Sequence, residues 1–145
     1  MTSGSTSLRD ARAQYFRENN LGADGGYGDR WVRVQVGPVP MWFPNTNARR
    51  RAVWLHDLHH LVTGYETSWT GEAEIAAWEL RGGCGNYYAA WILNAVAAFI
   101  GVFIVPRRVC RAFARGRRNT NLYHLNVDER CLDETVEGVC RRLGL

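Results

Sequence analysis

The 145-residue chain has no lysine: all 18 of its basic residues are arginine, set against 14 acids for a net charge of +4. So small an excess does not by itself make a nucleic-acid binder, and no nucleic-acid partner is expected. None of the four cysteines, Cys84, Cys110, Cys131 and Cys140, forms a CxxC pair. They are expected to be reduced and to act as small core hydrophobes. Met1 to Ser7 is polar and lacks the apolar segment of a secretory leader, which predicts a cytoplasmic setting. No internal repeat and no low-complexity linker is present. The length excludes a second full domain. A disordered chain is excluded by 46% apolar and 12% aromatic residues, with six Trp among them; these point to a sizeable core or an apolar binding surface. Acids are missing from one long stretch: residues 81–127 carry seven arginines and no Asp or Glu. The middle third is therefore basic and apolar.

What is present reads as a mainly α, single-domain helical bundle with a small N-terminal β-hairpin. Residues 1–7 form a tail, and Ser7 with Asp10 opens a helix from Leu8 to Glu18. A glycine-rich loop (Gly22, Gly25, Gly26, Gly28) leads to residues 31–43. There Val32, Val34 and Val36 alternate before the Gly37-Pro38 break, which predicts the hairpin. Asn45 or Thr46 caps a helix ending near Thr63, with Gly64 as its stop. Further helices are expected from Gly71 to Arg81, from Tyr87 to Val105 and from Arg107 to Arg115. Asp128 opens a last one, striped by Leu132, Val136, Val139 and Leu143.

The densest chemistry is His56-Asp57-Leu58-His59-His60 followed by Gly71-Glu72, which holds three of the chain's four histidines within five residues. At about 100° per residue, His60 lies about 40° and Asp57 about 100° from His56 on one arc, while His59 falls about 60° to the other side. Two imidazoles at i and i+4 converge on one point, and a carboxylate beside them adds an oxygen donor. Such an N/O set suits Zn²⁺, with Mn²⁺ or Fe²⁺ as alternatives. Gly64 turns the chain back, so an antiparallel next helix could bring Glu72 to the same point as a fourth ligand or a general base. A buried hydrogen-bonding cluster is the bland alternative. The metalloprotease motif HExxH is absent because Asp57 stands at its second position. No histidine precedes His56, as a His-Asp phosphohydrolase would need, and His124 alone is too few for the further boxes of a di-iron desaturase.

His56-Asp57-x-x-His60, eleven residues and then Glu72 resembles the HDxxHx(11)E signature of the coenzyme Q (ubiquinone) biosynthesis protein 4 family. Leu61-Val-Thr-Gly64, Gly71-Glu-Ala-Glu-Ile-Ala76 and the ending Arg141-Arg142-Leu-Gly-Leu145 are similar to it as well. The resemblance covers about residues 50–82 and does not extend to the first 45. It implies a mainly helical protein, peripherally associated with membranes, whose His56, Asp57, His60 and Glu72 are metal ligands. It also implies action on a polyprenylated benzoquinone precursor at a ring carbon, by oxidative decarboxylation, with Glu72 or Asp57 moving a proton where not engaged as a ligand. A non-catalytic quinone- or lipid-binding scaffold with a structural metal is the second reading. A small membrane-embedded structural subunit is the third.

Residues 87–105 run without a charge, about 28 Å as a helix. Two placements fit: inserted or monotopically embedded in a membrane, with Tyr87, Tyr88 and Trp91 at one end and Arg107-Arg108 at the other, or buried inside the protein, in an oligomer or along a lipid tunnel. Arg107, Arg111 and Arg115 repeat every four residues beside Arg108, which predicts docking on anionic headgroups; a solvated face is the alternative. A homo-oligomer or a place in a biosynthetic complex is expected.

Overall fold

The structure, a computed structural model, describes residues 6–36 and 39–145. Residues 1–5 of the expected tail and the expected Gly37-Pro38 break lie outside the described residues. Among the described residues the chain is a mainly α single domain of six helices with one two-stranded antiparallel hairpin. Helix α1 is Leu8–Glu18, strands β1 and β2 are Trp31–Val36 and Val39–Pro44, and helices α2 to α6 are Asn47–Thr63, Trp69–Gly82, Tyr88–Ile104, Pro106–Gly116 and Val136–Leu143. Two 3₁₀ turns, Leu122–His124 and Glu129–Asp133, precede α6.

Local chemistry sets the ends of the two helices that matter most. Thr46 caps α2 through its hydroxyl, which accepts from the Arg49 N–H at 3.2 Å. Gly64 ends α2 at φ +76, a left-handed conformation that glycine adopts without strain. Ser68 then caps α3 by accepting from Gly71 N–H at 3.3 Å. This cap starts α3 two residues before the expected Gly71. The turn between the helices is tight: a Cβ on Gly71 would lie 1.9 Å from the Glu66 carbonyl oxygen. It returns the chain at once and brings the first turn of α3 beside the last turns of α2.

Helix α3 packs against α4 and α5 around Ala73, Ala76, Ala77, Trp78, Ala98, Val109 and Ala112. A second apolar cluster joins α1, α2, the start of α4, the 3₁₀ turns and α6 around Leu8, Leu55, Leu58, Leu122, Leu132 and Val139. Directly after the hairpin, Asn45 is buried and its amide donates to the Tyr27 and Asp29 carbonyls at 3.1 and 2.7 Å. This holds the glycine-rich loop, and Tyr27 with it, against the start of α2.

Three expectations are corrected. The last helix does not run on from Asp128. Asp128 caps only the 3₁₀ turn Glu129–Asp133, Glu134 is extended, and Thr135 opens α6 by accepting from Gly138 N–H at 3.1 Å. The extended break is used: Leu8 N–H donates to the Glu134 carbonyl at 2.9 Å, tying the start of α1 to it. All four cysteines are free, but only Cys84 and Cys131 are buried, and Cys110 is exposed. The third correction concerns residues 87–105, which form neither a membrane span nor a helix buried all round. The helix is 17 residues long, because Val105 leaves helical geometry and Pro106 starts α5. Among the described residues no helix is long and apolar enough to cross a membrane. One side of α4 (Ala90, Asn94, Ala98, Gly101) is buried, while Tyr88, Ile92, Val96, Phe99 and Phe103 are exposed.

Candidate metal centre

The donors come from the last two turns of α2 and the first turn of α3. His56 Nε2 and His60 Nε2 lie 3.2 Å apart with their rings nearly perpendicular, at 88°. Glu72 reaches both, its Oε2 at 3.2 Å from His56 Nε2 and its Oε1 at 3.2 Å from His60 Nε2. His56, His60 and Glu72 thus form a group able to hold a metal ion, with one donor atom from each within 4.8 Å of the others.

The far side of each ring explains why the two Nε2 atoms meet. His60 Nδ1 lies 2.8 Å from the Tyr65 carbonyl oxygen, which can only accept. His56 Nδ1 lies 2.9 Å from Glu79 Oε1. Both Nδ1 atoms therefore carry protons, so an Nε2 lone pair of either ring, wherever it is free of a proton, points to the same spot. Lone pairs 3.2 Å apart beside a carboxylate call for positive charge between them. The donor set therefore fits a divalent metal. Without a metal, a proton supplies the charge: burial opposes protonation of His56, but Glu79 and Glu72 outweigh it and push its pKa well above the ordinary imidazole value. Burial likewise pushes the Glu72 carboxyl up, but hydrogen bonds with His56 and His60 outweigh it and hold the group at about 2.

Asp57 is placed differently from the sequence expectation. It is buried, one of its oxygens accepts from the Tyr15 hydroxyl at 3.4 Å, and the other accepts a short hydrogen bond from Tyr27. It is not part of the three-residue donor group. Burial pushes its pKa up, only partly offset by Tyr27. Tyr15 stacks on the His60 ring, with centroids 5.8 Å apart and planes at 26°. The Asp57–Tyr15 pair therefore backs the imidazole from outside the donor group. Both phenols are held protonated, by burial first and by the Asp57 charge second.

His59 lies round α2 from His56 on the side away from His60, as its arc predicts, and is fully buried. Its Nδ1 is 2.6 Å from Glu79 Oε1, and its Nε2 accepts from the Leu122 N–H at 2.9 Å. Burial pushes its pKa down, consistent with a neutral ring.

Glu79, Tyr15, Tyr27 and Tyr65 were not singled out by the sequence. Glu79 had one available signal: it follows Glu72 by seven residues, so both acids share a face of the helix. The tyrosines offered none.

The centre opens on the Glu72 side, where that side chain is 37% exposed. Glu72 also lines a narrow apolar crevice between α3 and α4, walled by Trp69, Ala73, Ala97, Ile100, Gly101 and Ile104. Of the four arginines expected to face a membrane, two are otherwise engaged. Arg108 makes a two-pronged contact with Glu74, at 3.0 and 2.8 Å. Arg115 donates to the Thr63 carbonyl at 3.1 Å and lies over the Tyr65 ring. Arg107 and Arg111 are exposed.

Comparison with protein-family models, with curated proteins and with solved structures finds no match to this chain in any of the three.

Proposed function

We propose that this chain is a divalent-metal enzyme acting on a polyprenylated aromatic quinone precursor, the activity implied by its resemblance to the coenzyme Q biosynthesis protein 4 family. The observation that carries the metal is the pair of Nε2 lone pairs 3.2 Å apart with Glu72 bridging them. His56, His60 and Glu72 would hold a divalent ion, which would supply Lewis-acid chemistry to a carboxylate or phenolate oxygen of the ring. Zn²⁺ suits the donor set, with Mn²⁺ or Fe²⁺ as alternatives.

The chain's own residues supply the rest. Tyr65 and Glu79 orient the two imidazoles. Tyr15 and Tyr27 keep Asp57 engaged, so Asp57 is not free to join the three donors. Glu72, on the exposed side, is the carboxylate placed to take or return a proton at the ring. The crevice beside Glu72 is apolar, as the start of a prenyl tail requires of its neighbours. The exposed face of α4, with Arg107 and Arg111 beyond its end, suits an anionic membrane surface.

The deciding experiment is native mass spectrometry combined with elemental analysis. One divalent ion per chain is expected, lost in His60→Ala while the fold survives. Turnover of a prenylated hydroxybenzoate should follow the ion; undiminished turnover by metal-free protein would overturn the proposal. A coordination sphere closed by four protein ligands would favour a structural metal and the scaffold reading.

A further inference from the structure

Glu79 is wholly buried on α3 and its carboxylate is fully engaged. Oε1 accepts from His56 Nδ1 at 2.9 Å and from His59 Nδ1 at 2.6 Å. Oε2 accepts from the Tyr123 hydroxyl at 2.9 Å and from the Asn94 amide. The donors come from α2, α4 and the first 3₁₀ turn, so the group cannot rotate without breaking bonds to three elements. His59 is locked in turn, because Leu122 N–H fills its Nε2.

We infer that Glu79 is the positioning residue of the metal centre and that His59 is its brace. By accepting the Nδ1 proton of His56, Glu79 fixes that ring in one tautomer and one orientation, with Nε2 toward His60 and Glu72. The inference rests on the metal-centre reading and deepens it. Stability alone does not call for a charge here, since a well-packed apolar group can serve a core as well or better. A carboxylate behind a ligating imidazole raises the basicity of the ring and holds its aim. His59 also accounts for the third histidine of the cluster: it shares Oε1 with His56, so the carboxylate cannot swing toward either ring.

Co²⁺ is the probe, since its visible absorption reports ligand geometry. Glu79→Gln is expected to bind Co²⁺ about 10- to 100-fold more weakly than wild type, with an altered visible spectrum. Val139→Ala, at a fully buried apolar position on α6, is the stability control: it should lower the melting temperature and leave Co²⁺ affinity and spectrum unchanged. Glu79→Gln with wild-type affinity and spectrum overturns the positioning role. Should that variant fail to fold, long-range ¹H–¹⁵N correlations of the zinc-loaded wild-type chain decide instead. His56 and His59 are both expected to be protonated at Nδ1, and zinc on His56 Nδ1 would overturn the inference. Wild-type chain that takes up neither ion overturns the metal centre itself and this assignment with it. Wild-type uptake with an unchanged variant overturns the assignment alone.

Discussion

Glu72 and Glu79, seven residues apart on α3, address the two nitrogens of one imidazole, that of His56: Glu72 Oε2 stands 3.2 Å from Nε2 and Glu79 Oε1 stands 2.9 Å from Nδ1. The same residue type does two different jobs because of burial. Glu79 is sealed in the core and orients, whereas Glu72 is partly open and can meet an ion or a substrate.

Glu72→Gln separates the jobs from the metal side. The amide keeps the volume but loses the charge and one acceptor facing the imidazoles. Affinity for Zn²⁺ is expected to fall by more than about a hundredfold, with the far-ultraviolet circular dichroism unchanged. Isothermal titration of the metal-free protein checks this; unchanged affinity would remove Glu72 from the ligand set.

Asp57→Asn tests a residue whose placement differs from its sequence expectation. Its two oxygens hold Tyr15 and Tyr27, so the variant should lose about 1–2 kcal/mol of stability through a mismatched buried hydrogen bond. One ion per chain should still bind. Denaturant unfolding and metal analysis on the same sample give both readouts, and loss of the ion in a folded variant would return Asp57 to the ligands.

Much of the site was legible because helical geometry is local. A turn of about 100° per residue puts His56 and His60 together and sends His59 the other way. Thr46, Gly64 and Gly82-Gly83 mark helix ends through their own side chains or lack of them. What could not be read depends on distant partners. Asp57 is claimed by Tyr15 and Tyr27, 42 and 30 residues upstream, and no local spacing reveals that competition. Glu79 shares a face with Glu72, but its role appears only once α2 and α3 cross and α4 supplies Asn94. The apolar stretch 87–105 was ambiguous for a related reason. Composition reports that it is uncharged, and only packing shows that one side is buried on α3 while the other is exposed.

The α3–α4 contact is a point of small tolerance. A Cβ on Gly101 would lie 2.4 Å from the Ala73 Cβ, so Gly101→Ala must push the helices apart despite the better helix propensity of alanine. A cost of about 1–3 kcal/mol is expected, or roughly 2–12 °C in melting temperature for a chain of this size. Ala73 also lines the crevice beside Glu72, so binding of a prenylated aromatic should weaken as well. A thermal melt and a ligand titration check the two effects separately.

Metal-free protein should lose stability in acid through Glu72. Its folded pKa of about 2 lies below the ordinary 4.5, so its contribution is complete above about pH 4.5 and disappears as the pH falls toward 2. Glu72→Gln should flatten that part of the stability profile, read from denaturant midpoints between pH 2 and 6. Metal binding carries the opposite requirement on the histidines: a proton must leave His56, so Zn²⁺ affinity should rise with pH and proton release should accompany binding. Affinity independent of pH between 5 and 8 would contradict the assignment of His56 as a ligand.

The arginine-rich helix allows a finer division than charge counting. Arg107 and Arg111 are exposed, whereas Arg108 is held by Glu74 through two hydrogen bonds. If the α4 face and α5 dock on an anionic bilayer, Arg107→Gln and Arg111→Gln should each weaken binding to phosphatidylserine-containing vesicles by about 1 kcal/mol, close to fivefold at moderate salt. Arg108→Gln should leave vesicle binding nearly unchanged and instead destabilise the α3–α5 contact, because it strands the mostly buried Glu74 carboxylate. Co-sedimentation at increasing salt distinguishes the effects: docking by Arg107 and Arg111 weakens as salt rises. Equal losses for all three substitutions would mean that total charge, rather than this surface, governs any attraction to the membrane.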